Sequence, residues 1–129
     1  MSIKEDPAFI DSPAIKGREE RYVTLDVDTA KVLDSWKNSL YAFEWLTEEG
    51  LIRERDSLPE QDRTKYAAVE SCLKTGEALE KPVLGIGMMD NIEIGAGRAV
   101  FLTLTAKGLE RLPVHVPKSH RDDFAAFLA

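Results

Sequence analysis

MDNIEIGAGRAVFLTLTAKGLERLPVHVP, residues 89–117, combines two strand signals with a glycine-rich link and an apolar helical segment. It predicts a strand over 92–94, a helix over 99–107 and a second strand over 112–116. Gly108 is a suitable helix stop, because glycine enters the left-handed cap conformation without a Cβ penalty. The segment therefore predicts a strand, turn, helix and strand in direct succession.

The glycine-rich link between the first strand and the helix is the candidate ligand site. Glycine lets the backbone approach a ligand closely, and the unpaired amides and dipole of a helix N-terminus favour an anion. We predict a phosphate-binding or nucleotide-binding turn formed by Gly95, Gly97 and Arg98, in which the guanidinium donates to phosphate oxygens. A plain tight turn with a surface arginine is the alternative, since the full dinucleotide and Walker patterns are missing.

An apolar run of strand length lies just upstream, over residues 82–89. Asp90 and Asn91 follow it, and both residue types tolerate positive φ, so we predict a hairpin turn there. Met88 and Met89 are interpreted as core residues, or at most as part of a hydrophobic partner surface.

The N-terminal half predicts a strand over 21–27 followed by a helix that Asp28 or Thr29 caps and Gly50 ends. Leu33, Trp36, Leu40 and Phe43 are spaced to share one face of this helix. Trp45 lies off that stripe, so we expect it to be exposed and available for a dimer or partner contact.

Two capping boxes predict further helices. Ser57 and Glu60 begin a helix that runs to about Leu79, and Ser119 and Asp122 begin a last helix near the C-terminus. The inward residues are expected to be Tyr66, Val69, Cys72 and Leu73 in the first, and Phe124, Phe127 and Leu128 in the second.

The order of elements is β-α-α-β-β-α-β-α, which predicts an α+β fold. We expect one domain over 21–129, with a small mixed sheet of about four strands and a helical insertion. Residues 1–20 show no sustained period and form an N-terminal arm that is either disordered or laid over the domain.

Three motifs resemble the ParB/sulfiredoxin-like superfamily, including its small stand-alone ParB-like members. They are residues 94–98 (IGAGR), 106–109 (AKGL) and 112–116 (LPVHV). The resemblance implies a ParB-like domain, typical of bacterial soluble proteins, with the fold of sulfiredoxin. It also implies phosphate or nucleotide binding at the glycine-arginine turn.

The chain departs from that family at the residues that carry its chemistry. Ala99 and Val100 stand where members have histidine and a second basic residue, and the cysteine of sulfiredoxins is missing from the turn. Cys72, the single cysteine, is expected in the core rather than as a nucleophile. We therefore expect neither sulfinic-acid reduction nor the nuclease activity that the family name implies.

The charge balance limits the partners. The 129 residues hold 17 basic and 23 acidic side chains, a net charge of −6 that disfavours extensive nucleic-acid binding. Seven acids and three bases fall within 44–63, which is interpreted as a solvated helical face. The N-terminus has acids and a proline where a signal peptide needs an apolar run, and the longest uncharged stretch is too short for a bilayer. A cytoplasmic location without membrane association is expected.

Other constellations of reactive residues are weaker. His115 and His120 with Asp122 and Asp123 could be drawn as a metal site, but a surface or capping role for His120 is preferred. Asp26 and Asp28 could share a strand face, although a helix cap explains Asp28 without catalysis.

Three functions remain open from the sequence. The preferred one is a non-catalytic binding or interaction module with a small phosphate-containing ligand and, as a further partner, a second copy or another protein. The second is a nucleotide hydrolase or nuclease with an atypical site around Arg98, Asp90 and His115. The third is a DNA-binding partition or regulatory accessory protein, for which no helix-turn-helix is visible.

Overall fold

The computed structural model describes residues 7–129, which form a mixed α+β fold. Its helices are α1 (Thr29–Trp36), α2 (Glu60–Thr75) and α3 (Arg98–Ala106). Its strands are β1 (Phe9–Ile10), β2 (Tyr22–Asp28), β3 (Leu79–Glu80), β4 (Leu84–Ile86), β5 (Ile92–Ile94) and β6 (Arg111–Pro117). No helix in this range is both long enough and apolar enough to cross a membrane.

The strands form three two-stranded ladders in place of the predicted four-stranded sheet. β2 pairs antiparallel with β6, β4 pairs antiparallel with β5, and β1 pairs parallel with β3. A single parallel bridge joins Val83 to His115, whose N–H donates to the carbonyl of Pro82 at 2.9 Å. Successive N–H groups on one edge of a strand are two residues apart, and Pro113 and Pro117 have none to donate. The pairing of β6 with the segment just before β4 therefore stops at one bridge.

The core is one cluster of apolar side chains drawn from the helices, the longer strands and the loop after α1, and many of its members are almost fully buried. They include Val27, Trp36, Trp45, Phe101, Leu104, Val114 and Phe124. The expectation of an exposed Trp45 is wrong: its side chain is 1% exposed and its ring stacks on Tyr66 at 6.3 Å between centroids.

The first helix is much shorter than predicted. α1 begins as expected, with the carboxylate of Asp28 accepting a hydrogen bond from the amide of Lys31 at 3.1 Å. It ends at Trp36 because Asn38 and Ser39 hydrogen-bond locally, as such side chains do in competition with a helix. The predicted apolar stripe is wrong beyond this point, since Leu40 is 78% and Phe43 69% exposed.

The two predicted capping boxes are not formed. α2 begins directly after Pro59 without a side-chain cap and ends at Thr75, before the expected Leu79; Gly76, with φ +78°, is its C-cap. Near the C-terminus, tight 3-10 turns over Lys118–His120 and Asp122–Phe127 replace the predicted last helix.

The described part of the predicted arm lies over the domain. β1 pairs with β3, and Ile15 is 3% exposed. The backbone N–H of Ser12 donates to Nε2 of His115 at 3.1 Å, across 103 positions of sequence. Residues 1–6 of the arm lie outside the described residues.

Candidate functional site

The predicted turn joins β5 to α3 and is fixed by backbone hydrogen bonds. The N–H of Gly95 donates to the carbonyl of Val83 at 2.8 Å, and the N–H of Val83 donates to the carbonyl of Ala96 at 2.9 Å. Gly97 is the N-cap of α3 with φ +80°, and a Cβ added there would lie 2.8 Å from Cα of Pro82. The turn itself therefore requires glycine at position 97.

The same turn forms one wall of a cleft. Its volume is about 380 Å³, within the range of small-molecule sites. The lining consists of Gly95, Ala96, Gly97, Arg98, Ala99 and Val100 on one side and Trp45, Asp62 and Lys65 on the other. The three predicted site residues are thus brought together around one cleft.

The first turn of α3 lines this cleft and carries free backbone amides. No side chain caps the helix, and the N–H groups of Arg98, Ala99 and Val100 make no hydrogen bond to any residue between 7 and 129. Unpaired N–H groups at a helix start carry the positive end of the helix dipole. The arrangement is suited to an anionic group.

The side chain of Arg98 has a structural role in this geometry. Its Nη2 donates to the carbonyl of Ile94 at 3.1 Å, and its guanidinium lies 5.2 Å from the ring centre of Tyr41 and 5.9 Å from that of Trp36. Part of the guanidinium that was expected to bind phosphate therefore donates to the turn and contacts two aromatic rings instead.

Asp62 and Lys65 in α2 are cleft residues that the sequence did not reveal. Asp62 is 6% exposed, and its buried Oδ2 has no hydrogen-bond partner within residues 7–129. Lys65 is exposed, one helical turn further along. The sequence did not identify them because they lie in or next to a strongly charged segment. Such a segment is interpreted as a solvated helical face when the burial of its residues is not known.

Both histidines accept hydrogen bonds from backbone amides. Nε2 of His115 accepts from Ser12, and Nδ1 of His120 accepts from Ile86 at 3.1 Å. Burial lowers the pKa of His115, as expected for an imidazole that is 2% exposed. Across the described range, no cluster of three or more His, Cys, Asp or Glu side chains could hold a metal ion.

The remaining candidate residues lie outside the cleft. Asp28 caps α1, and Asp26 faces Arg111 at 3.4 Å. Asp90 forms the hairpin turn between β4 and β5 with φ +59°, as predicted for this residue type. Cys72 is partly buried against the core from α2.

Comparison with family models, with curated proteins and with solved structures finds no match to this chain. The likeness to the ParB/sulfiredoxin-like superfamily therefore stays a prediction that rests on the three short motifs. The order β5, glycine turn, α3, Gly108 and β6 is present as the sequence predicted.

Proposed function

We propose that this protein is a non-catalytic binding module whose cleft at residues 95–100 holds a small phosphate-containing ligand of the nucleotide class. The observation that carries the proposal is the uncapped first turn of α3, whose residues line the cleft. Helix N-termini of this kind bind phosphate through backbone N–H groups and the helix dipole.

The charges around the cleft favour an organic phosphate over inorganic phosphate. Lys65 and the backbone amides attract a phosphate group, whereas the carboxylate of Asp62 repels a second negative charge nearby. The unpartnered Oδ2 of Asp62 needs a hydrogen-bond donor. A nucleotide supplies both groups, because its phosphate fits the amides while a sugar hydroxyl or base N–H can donate to the carboxylate.

The residues of the competing hydrolase do not meet in this cleft. His115 is buried beneath Ser12, and Asp90 belongs to the β4–β5 turn. General acid-base catalysis needs a titratable group within hydrogen-bond reach of the reacting atom. A binding role is therefore better supported by the geometry than turnover.

Calorimetric titration tests the proposal with inorganic phosphate and with nucleoside mono- and triphosphates. Ala96 is exposed and lines the cleft, so Ala96→Asp places a negative charge beside the amides without removing a packing contact. We expect it to weaken nucleotide binding by about tenfold or more. The neutral Ala96→Asn, of nearly the same shape, should bind within about threefold of the original protein.

The melting temperature separates binding from folding in this experiment. An acid near the start of α3 is favourable to the helix, so Ala96→Asp should melt no lower than the original protein. The proposal fails if no nucleotide binds at millimolar concentration, or if Ala96→Asp and Ala96→Asn bind equally well.

A further inference from the structure

The carboxylate of Asp62 is a buried group of the cleft that lacks a hydrogen-bond donor. The residue lines the cleft and is only 6% exposed. Its Oδ2 accepts no hydrogen bond within residues 7–129, and no ion pair in that range involves Asp62. Burying such an oxygen without a donor is unfavourable, and a ligand that supplies a donor removes that cost. Asp62 therefore points to a ligand that donates hydrogen bonds as well as carrying a phosphate.

The carboxylate and the proposed phosphate position line the cleft from different helices. Asp62 is the third residue of α2, and the phosphate is proposed to bind at residues 98–100, in the first turn of α3. Because like charges repel, the part of the ligand next to Asp62 must not carry a second negative charge. This inference rests on the proposed function, in which the ligand is a nucleotide. The part next to Asp62 is then the sugar or the base.

A ribose matches the carboxylate better than a base does. It carries two adjacent hydroxyls, each able to donate, and an ionised carboxylate accepts through two oxygens. In dinucleotide-binding folds the phosphates lie at a helix N-terminus while an acidic side chain accepts from a ribose hydroxyl. The uncapped start of α3 and the unpartnered Asp62 supply the same two kinds of group in one cleft.

The lining of the cleft gives a base no aromatic surface. Among the described residues that line it, Trp45 is the aromatic one. Trp45 is 1% exposed and its ring stacks on Tyr66, so it has no free face on which a base could stack. We propose that Asp62 accepts hydrogen bonds from the ribose hydroxyls of the nucleotide. The site then selects the ribose and the phosphate and does not discriminate between bases.

Calorimetric titration in a buffer with EDTA tests the inference with AMP and with dideoxy-AMP, which lacks both ribose hydroxyls. We expect AMP to bind about tenfold more tightly or better, because a site with a buried acceptor rejects a ligand that cannot donate to it. GMP, CMP and UMP should bind within about threefold of AMP, since the base makes no specific contact.

Two variants assign the preference for ribose to Asp62. Asp62→Ala removes the carboxylate, so AMP and dideoxy-AMP should bind within about threefold of each other. Dideoxy-AMP should bind this variant no more weakly than the original protein, because a repulsion of its phosphate is also removed. Glu60→Ala is the matched control: it removes an exposed acid from the same turn of α2, outside the lining, and should keep the preference for AMP.

The melting temperature shows whether Asp62→Ala is folded. Alanine is the best helix former, and the oxygen it removes has no partner, so the variant should melt close to the original protein. The comparison of AMP with dideoxy-AMP on the original protein does not depend on any variant.

The possible results separate this inference from the proposed function. Equal binding of AMP and dideoxy-AMP to the original protein would overturn the inference, although the binding of phosphate at the turn would stand. Failure of every nucleotide to bind would overturn the proposed function and this inference with it. A preference for AMP that Asp62→Ala retains would assign the ribose to another group, and one that needs magnesium in place of EDTA would assign Asp62 to a cation. A preference of tenfold or more for one base would show that the base is recognised. Each of these three results would also overturn the inference.

Discussion

Position 97 requires glycine for two reasons, its backbone conformation and the close approach of Pro82. Its φ of +80° lies in the left-handed region, which costs a residue with a Cβ roughly 1–2 kcal/mol. A Cβ would also lie 2.8 Å from Cα of Pro82, and backbone cannot yield as a flexible side-chain end does. The residue therefore fixes both the start of α3 and its distance from Pro82 in the segment before β4.

Gly97→Ala should lower the free energy of unfolding by about 2–4 kcal/mol, because strain and overlap add. Gly17→Ala is the matched control, since Gly17 has φ +84° but nothing within 4 Å of an added Cβ. Gly17→Ala should lower the free energy of unfolding by only about 1 kcal/mol. Urea unfolding of both variants measures the difference. Equal losses would show that the contact with Pro82 contributes nothing.

At the scale of elements, the carboxylate of Glu70 in α2 binds two cations, and one of them follows the end of α3. Oε2 of Glu70 accepts from Nζ of Lys107 at 2.5 Å, and Oε1 accepts from Nη1 of Arg55 at 2.9 Å. The hydrogen bond from Lys107, with a smaller one from Arg55, lowers the pKa of Glu70 below its usual range. This carboxylate links the end of α3 to α2 and to the turn before it.

Glu70→Gln should destabilise the protein by about 1 kcal/mol at neutral pH, because the neutral amide weakens both ion pairs. Stability that depends on a lowered carboxyl pKa is present above about pH 4.5 and is lost as the pH falls further. The variant should therefore lose less stability than the original protein between about pH 6 and pH 3. Urea titrations at several pH values test this, with the exposed Glu77→Gln as control. A variant with the same pH dependence as the original would contradict it.

Elements encoded by local signals are those that the sequence predicted well. α3 and β6 follow directly from an apolar helical segment bounded by Gly97 and Gly108 and from the alternation around Val114. The apolar spacing did not predict the end of α1, because Asn38 and Ser39 hydrogen-bond locally in competition with the helix; Ser39 also donates to Glu93, 54 positions away. Apolar residues at helical spacing therefore do not guarantee a continuous helix.

Some residues of the candidate site could also be predicted from the local sequence, and others could not. Gly95, Gly97 and Arg98 are neighbours in the chain, so the turn could be recognised from sequence. Asp62 and Lys65 reach the cleft only because α2 packs against α3, which no local pattern encodes. The direction of the Arg98 side chain was also hidden, since it depends on Trp36 and Tyr41 from a distant segment.

At the scale of the whole molecule, the N-terminal arm contacts segments that lie far along the chain. β1 pairs with β3, Asp11 pairs with Lys81 at 2.9 Å, and Ser12 is held by His115. All three contacts join residues near the N-terminus to segments far along the chain. These contacts attach the arm together with the buried Ile15, and the hydrogen bond to His115 is the most deeply buried of the polar ones.

The pH should control this attachment. Nε2 of His115 can accept the N–H of Ser12 only while it is unprotonated. Burial lowers the pKa of His115 from its ordinary value of 6.5; Asp11 opposes this shift, and Lys81 adds to it. Below pH 6.5 the unfolded chain binds the proton more readily than the folded one. The stabilisation is thus complete above this pH and is lost as the pH falls through the folded pKa.

We therefore expect the free energy of unfolding to fall between about pH 7.5 and pH 5.5. His115→Gln cannot titrate, so it should start less stable at the higher pH and lose less over this interval. Hydrogen exchange gives the spatial readout, because the amide of Ser12 should lose protection at the lower pH before the β2–β6 ladder does. If the two proteins lose equal stability, or if Ser12 stays protected, His115 does not hold the arm.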